Sequence, residues 1–423
     1  MFSIPSDSRV SETLPGGKKL RYALRQMLES SLKSNASTTV VVGMSGGVDS
    51  SVTAALLREA GYRVVGLFMK NWEEKDANGV CSSEREFADV VSVCRRLEIP
   101  YYSVEFVKEY FDRVFKTFLQ EYEAGFTPNP DILCNREIKF DAFFDKAMDF
   151  GADFLATGHY ARTENRGGVP LLLKGLDPGK DQSYFLHAIK GARLANVMFP
   201  IGELPKTEVR KLAARYELST KEKKDSTGIC FIGERNFQPF LAQYLKGKKG
   251  DFQMLSGEKV GTHAGSQFYT LGQRKGLGLG GEGEPWFVVA KDPKTNVVFV
   301  ERGEFHPALF TDELMAEELT WIGGLPPRPL GVEFACRAKV RYRQSDQECR
   351  MKLEDDGFGG TRGRVTFTVP QRSVTPGQSV VFYADAVCLG GGVIRGLGEN
   401  FLARGYAMGD LRAQFENAVI TSS

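Results

Sequence analysis

Residues 43–51 read Gly43-Met44-Ser45-Gly46-Gly47-Val48-Asp49-Ser50-Ser51, a glycine-rich turn between an apolar run and a helix-like stretch. The run before it, Thr38-Thr39-Val40-Val41-Val42, is β-branched, as suits a strand buried on both faces of a sheet. Beyond the turn, residues 51–60 carry apolar side chains at helical spacing and lead to Gly61, suited to a helix C′ position. A strand that feeds a helix through paired glycines gathers free N–H groups and the positive end of a helix dipole at one point. Two glycines alone would mark an ordinary turn, but the whole string in this setting marks an anion site. No Gly-Lys-Ser/Thr follows, which excludes a Walker A loop.

The rest of the first half continues the alternation. Residues 63–70 and 101–106 read as strands, 84–97, 108–123 and 140–150 as helices, and Phe154-Leu155-Ala156-Thr157 as a short strand ending at Gly158-His159. Strands separated by helices predict an α/β fold, a doubly wound parallel sheet with its ligand at the carboxyl ends of the strands. Residues 206–216 and 237–245 suggest a smaller helical region. After Gly250 the runs shorten and are punctuated by Gly, Pro and Asp: Phe268-Tyr269-Thr270-Leu271, 286–290, 297–300, 332–342, 364–369 and 379–383. That pattern predicts a C-terminal β-barrel or sandwich. With 423 residues, more than one core is expected. Taking Pro326-Pro327-Arg328-Pro329 as a linker, the expected division is an N-terminal extension (1–36), a catalytic domain (37–205), a central domain (206–325), a β-barrel (326–400) and a tail (401–423).

Composition excludes several classes. No segment approaches 18 consecutive apolar residues, so no membrane span is expected. A net charge of +2 gives no hint of a nucleic-acid partner, which leaves that argument to local basic clusters. Seven cysteines are too sparse for a disulfide framework and point to a reducing compartment. Residues 1–36 hold no apolar signal-peptide core, and Asp7, Glu12 and Glu29 count against a mitochondrial presequence. The cytoplasm is the expected location, a mitochondrion the alternative.

Two cysteines stand in unusual segments. Cys134 lies in Thr127-Pro128-Asn129-Pro130-Asp131-Ile132-Leu133-Cys134-Asn135-Arg136-Glu137-Ile138-Lys139-Phe140, where two prolines stiffen a loop and Asp131 or Asn135 is suited to cap the next helix. A thiol near a helix N-terminus beside Arg136 and Lys139 would have its pKa lowered. Cys230 lies between Gly228 and Gly233, after the basic run 221–224. Cys94, Cys336, Cys349 and Cys388 fall in strand- or helix-like patterns and read as small buried hydrophobes, and Cys81 sits in a loop without other support.

The Ser-Gly-Gly-Val-Asp-Ser string resembles the PP-loop of ATP pyrophosphatases, which split ATP between the α- and β-phosphates. Together with Phe68-Met69-Lys70-Asn71-Trp72, Asn129-Pro130-Asp131 through Phe140, Gly158-His159-Tyr160-Ala161-Arg162, Lys180-Asp181-Gln182-Ser183, Cys230-Phe231-Ile232-Gly233, Tyr269-Thr270-Leu271-Gly272-Gln273-Arg274, Arg341-Tyr342-Arg343 and Gly377-Gln378, it resembles the tRNA-specific 2-thiouridylase (MnmA/TrmU) family over residues 38–400. The resemblance implies ATP-dependent thiolation of C2 of the wobble uridine, with Mg²⁺ as the metal accompanying ATP and no protein-built metal site. It implies nucleotide contacts from Gly43, Met44, Ser45, Gly46, Gly47, Val48, Asp49 and Ser50, with Met69 and Gly158 lining the adenosine pocket. Asn129, Pro130 and Asp131 would meet the target base, Asp131 also counting among the catalytic residues. Cys230 would carry a persulfide and Cys134 would release its sulfur, ending in a transient disulfide.

By the same resemblance His159, Lys180, Asp181, Gln182, Arg341, Tyr342 and Gln378 would contact tRNA. The basic runs 221–224, 246–249, 273–275 and 337–343 are candidate phosphate contacts, although charge runs are often solvated faces. A cysteine desulfurase, directly or through sulfur-carrier proteins, is the implied sulfur source, and a monomer is expected. The alternatives are another PP-loop pyrophosphatase acting on a small metabolite, which needs no cysteine, and a non-catalytic RNA-binding protein, which needs neither Asp49 nor the cysteines.

Overall fold

The computed structural model describes residues 34–73, 82–224 and 237–412. Its first part is built on five parallel strands, β1 (Thr39–Met44), β2 (Arg63–Lys70), β3 (Tyr101–Glu105), β4 (Phe154–Thr157) and the two-residue Val197–Met198, in the order β3-β2-β1-β4 and then Val197–Met198. Alternation along β1 sends Val41 to one face and Val40 and Val42 to the other, and both faces are covered, so the strand is apolar throughout. Helix α1 (Val48–Glu59) and helix α2 (Ser82–Leu97) pack on the Val40/Val42 face. In α1 even the hydroxyl residues are buried, and Ser51 Oγ and Thr53 Oγ1 donate back to the carbonyls of Gly47 and Asp49 at 2.7 and 2.9 Å. Gly61, at φ +87°, ends the helix in the left-handed conformation expected of a C′ residue.

The opposite face is covered by helical residues 107–123 and 130–149. Neither run is regular: Phe111–Phe115 and Asn135–Ala142 are π-helical, and Phe140 leaves helical geometry with φ −104° and ψ 17°. Apolar spacing predicts helix in both runs but carries no sign of the wider turns.

After β4 the chain makes a hairpin, β5 (Ala161–Arg166) and β6 (Val169–Lys174), around Gly167 and Gly168, both at positive φ. The polar outer strand of this hairpin gave no alternating apolar signal. A four-stranded sheet then forms from β7 (Gly250–Gln253), β8 (Lys259–His263), β9 (Trp286–Asp292) and β10 (Val297–Arg302) in the order β9-β10-β7-β8. Phe268-Tyr269-Thr270-Leu271, expected as a strand, belongs to no sheet. A short 3₁₀ turn covers Ser266–Phe268, and the residues after it run along the domain junction, with Thr270 Oγ1 3.5 Å from Thr127 Oγ1.

The last part is a closed antiparallel barrel of β11 (Phe310–Trp321), β12 (Glu333–Lys339), β13 (Gln347–Asp355), β14 (Thr361–Arg372), β15 (Ser379–Ala384) and β16 (Val387–Leu397). Around the ring the order is β11-β14-β13-β12-β15-β16, with β11 pairing back to β16. The loop holding Pro326-Pro327-Arg328-Pro329 joins β11 to β12, two strands of this ring. The hairpin of the first part pairs with the barrel, Leu172 and Leu173 of β6 opposite Cys388 and Val387 of β16. A single apolar core runs from Val41 through Phe115 and Phe252 to Val381, joining all three parts.

Candidate active site

The turn between β1 and α1 is built around two glycines that nothing larger can replace. Gly46 has φ +70°, and a Cβ there would stand 2.6 Å from the Glu86 carbonyl oxygen. Gly158, just past β4, would place a Cβ 2.7 Å from the Ser50 nitrogen and 2.8 Å from the Asp49 carbonyl carbon. The end of β4 therefore presses on the first turn of α1, at the place in the strand order where a parallel sheet opens its crevice. Gly47 caps α1 without a side-chain bond, so the N–H groups of Val48, Asp49 and Ser50 face outward with no intrahelical acceptor. Ser50 Oγ braces the turn, accepting from the Ser45 nitrogen at 3.2 Å and donating to the Gly47 carbonyl at 3.2 Å. Gly43 and Met44 end β1, and Met69 lies on β2, one residue beyond the Phe68 that pairs with Met44.

Asp49 is not left to water. Tyr160 Oη donates to Oδ1 at 2.9 Å, and Lys206 Nζ reaches both carboxylate oxygens at 2.7 and 2.8 Å. Lys206 opens the helix Lys206–Arg215, whose Val209 and Ala213 pack in the core on the α1 face. Sequence reading missed this lysine, because it lies 157 residues from its partner. Lys223, within the basic run read as a possible RNA contact, instead donates to the Gly46 carbonyl at 3.0 Å and to Asp89 at 2.7 Å. Burial pushes the Glu86 carboxyl above its ordinary range, with Lys223 opposing the shift and Asp89 adding to it.

The second element of the site is the segment from Thr127 to Cys134. Asn129, not Asp131 or Asn135, caps its helix: Asn129 Oδ1 accepts from the Asp131 nitrogen at 3.1 Å, and Pro130 occupies the first helical position, where no N–H is needed. Asp131 is half-buried, and its desolvation raises the carboxyl pKa against the opposing charge of Lys139. Cys134 is buried at the end of the helix Pro130–Cys134, where the π-helical turns begin. The guanidinium of Arg136, expected beside that thiol, is held by Glu137 at 2.7 Å and faces Glu318 at 3.8 Å. Cys230 and Cys81 lie outside the described residues. His159, next to Gly158, packs against Phe140 and Phe199 and shares a 2.8 Å hydrogen bond with Thr157. Burial, reinforced by Lys139, holds its imidazole neutral.

Three family models cover most of the chain: a tRNA methyl transferase HUP domain over residues 38–234, a tRNA methyl transferase PRC-barrel domain over 238–302 and an aminomethyltransferase β-barrel domain over 311–394. A tRNA-specific 2-thiouridylase MnmA of Protochlamydia amoebophila is 56% identical over 86% of this chain and 95% of its own. The chain belongs to the tRNA-specific 2-thiouridylase family. Namesakes from Stutzerimonas stutzeri and Staphylococcus aureus are 54% and 53% identical, over 97% and 96% of their lengths.

The other residues that family resemblance assigns to tRNA mostly lie where parts of this thiouridylase-family chain meet. Asp181 is buried, accepting from the nitrogens of Gly175 and Ser183 at 3.0 and 3.1 Å, with Lys339 of the barrel 3.7 Å away. Gln182 Oε1 accepts from the Tyr160 nitrogen at 3.0 Å, which ties it to the Asp49 cluster. Tyr342 packs tilted against Phe185, ring centroids 4.4 Å apart, and its hydroxyl meets the Lys180 carbonyl at 3.5 Å. Arg341 donates to the Ser373 carbonyl at 2.7 Å. Gln378 Nε2 donates to the Thr127 carbonyl at 2.5 Å, two residues before Asn129. The barrel thus grips the base of the Asn129 segment directly.

Proposed function

We propose that this chain thiolates C2 of a uridine in tRNA at the expense of ATP, splitting it to AMP and pyrophosphate. One observation carries the reading: Gly158 touches the anion turn at Asp49, while its neighbour His159 packs against Phe140 of the helical run that starts at Asn129, which supports taking the phosphate cradle and the acid–thiol segment as one site. The uridine C2 oxygen attacks the α-phosphorus, pyrophosphate leaves, and a poor leaving group becomes AMP. The outward N–H groups of Val48, Asp49 and Ser50 suit the charge on the departing phosphates, and Lys206 is placed to share it. Asp49 fits Mg²⁺, which in such sites is held by few carboxylates and by phosphate oxygens, and whose role is to neutralise phosphate charge.

In the sulfur half of the reaction, Cys134 thiolate attacks the inner sulfur of a persulfide on Cys230. A Cys134–Cys230 disulfide forms and the terminal sulfur leaves as hydrosulfide, which adds to C2 and displaces AMP. A cellular reductant restores both thiols, consistent with a cytoplasmic location. The persulfide is filled by a cysteine desulfurase or its carriers. The relatives matched over nearly their whole length are named for thiolation, and we follow them rather than the methyl-transfer wording of the domain descriptions.

The test is persulfide detection by mass spectrometry after incubation with a desulfurase, alongside 2-thiouridine formation. Cys134→Ser should load sulfur, Cys230→Ser should not, and neither should make 2-thiouridine. Sulfur on Cys134 in the Cys230→Ser protein reverses the roles. Full 2-thiouridine formation in either variant removes the relay.

A further inference from the structure

The central sheet carries a second glycine-rich segment, Gly276-Leu277-Gly278-Leu279-Gly280-Gly281-Glu282-Gly283, just before β9. It borders a cavity of about 310 Å³, backed by Trp286 and Arg302. Most of these glycines answer to the backbone: Gly276, Gly278, Gly281 and Gly283 have φ of +78°, +68°, +102° and +106°. Gly280 does not. Its φ lies outside the left-handed region, and a Cβ there would meet nothing within 4 Å. The chain itself has no need of a glycine at 280, whereas a molecule lying in the cavity does.

The lining describes that molecule. Among the described residues, Gly278, Gly280, Gly281 and Gly283 donate no backbone hydrogen bond, and glycine-rich turns of this kind present N–H groups to anions. Arg302 stacks 4.1 Å over the Trp286 ring and is fixed there by the Glu284 carbonyl at 2.8 Å, while Trp286 Nε1 donates to the Gly280 carbonyl at 3.0 Å. The carboxylate of Glu284 is engaged by Arg412 at 3.2 Å. Arg274 and Lys275 at the mouth are exposed, and among the described residues neither side chain has a partner. Unpaired cations, free N–H groups and a flat guanidinium–indole stack suit a phosphate carrying a sugar and base.

The position agrees. Arg341 donates to the Leu271 carbonyl at 3.5 Å, and Thr270 touches Thr127 beside the Asn129 segment. From Gly272 to Gly278 the chain spans at most about 20 Å.

We propose that the cavity around Gly280, Trp286 and Arg302 binds the sugar–phosphate backbone of the tRNA, a few nucleotides from the uridine held at Asn129. This rests on the tRNA-thiolating reading above. The test measures tRNA affinity of the full chain across a salt series. Gly280→Glu fills the cavity with negative charge at a position with room for it, and should weaken tRNA binding at least tenfold while ATP affinity is unchanged. Gly280→Ala, whose methyl group enters the space assigned to the ligand, should weaken tRNA binding by a smaller factor than Gly280→Glu. Arg274→Ala with Lys275→Ala should lower the salt slope by one to two units. If the wild type binds tRNA with a steep salt slope and Gly280→Glu matches it, the cavity assignment fails and the thiolation reading stands. If the wild type does not bind tRNA, the thiolation reading itself fails. Saturable quenching of tryptophan fluorescence by UMP, absent in Gly280→Glu and without any loss of tRNA affinity in that variant, would make the occupant a free nucleotide. Unchanged tRNA affinity with lost sulfur loading would make it a protein, and either result overturns the proposal.

Discussion

The anion turn and the Asn129 segment, which the proposed function joins in one site, are held in different ways. The turn from Ser45 to Ser50 is shaped mainly by its own sequence, through glycine geometry at Gly46, an uncapped helix start at Gly47 and a brace from Ser50 to Ser45, with Lys223 adding one long-range hydrogen bond to the Gly46 carbonyl. The Asn129 segment is set from outside. Its base is tied to the barrel by a hydrogen bond from the Thr127 nitrogen to the Pro376 carbonyl at 3.0 Å and by Gln378, and Thr270 of the central part touches the same residue. On the proposed function the turn would bind ATP, a ligand common to many enzymes, for which a local design suffices. On the same proposal the Asn129 segment would meet a particular RNA, and would gain from being positioned by domains that touch the rest of it.

Three perturbations sharpen this contrast, beginning with the largest. Asp49→Ala should abolish pyrophosphate release and thiolation, and Lys206→Gln should cost about 10²-fold or more in kcat, the scale seen when one preorganised donor is lost. Both are read by pyrophosphate release with tRNA present, and normal turnover in either would break the assignment of the turn. A smaller, selective effect is expected from paired glycine changes. Gly158→Ala forces a Cβ against the first turn of α1 and should raise KM for ATP. Gly377→Ala combines φ +92° with a 2.7 Å approach to the Thr127 nitrogen and should lower kcat/KM for tRNA about tenfold at unchanged ATP affinity. Equal effects on both substrates would erase the distinction between the two regions.

The smallest effect concerns stability. Burial raises the Asp131 pKa in the folded state, so ionising this group at neutral pH costs stability. Asp131→Asn should therefore raise Tm at pH 7, and the gain should vanish as the pH falls below the unfolded-state pKa of about 4, where both states are protonated. Thermal melts across pH check the sign, and a lower Tm at pH 7 would show that Asp131 is held as a stabilising carboxylate.

Much of the fold was legible in the sequence because its signals are local. The β-branched run before Gly43 gave β1, Gly61 gave the end of α1, and short punctuated runs gave the barrel. What was missed has a common cause. The β5–β6 hairpin has a polar outer strand and gains its place by pairing with β16, a partner more than 200 residues away in the chain. The strand expected at 268–271 is apolar because it lines a junction, not a sheet. Glu318 of the barrel, which faces the Arg136 guanidinium, is likewise too distant along the chain to be read from it.

By itself, the sequence determined the anion turn, the parallel sheet that carries it and the rigid, proline-bounded segment leading to Cys134. Those features depend on backbone geometry and periodicity within about 15 residues. Only the tertiary structure decided that Asp49 is paired with Tyr160 and Lys206, that Lys223 supports the turn, and that the barrel fixes the base of the Asn129 segment. Each of these is an electrostatic or hydrogen-bonded contact between residues more than 100 positions apart. Such a contact leaves no period and no motif in either stretch, and exists only once the chain has folded.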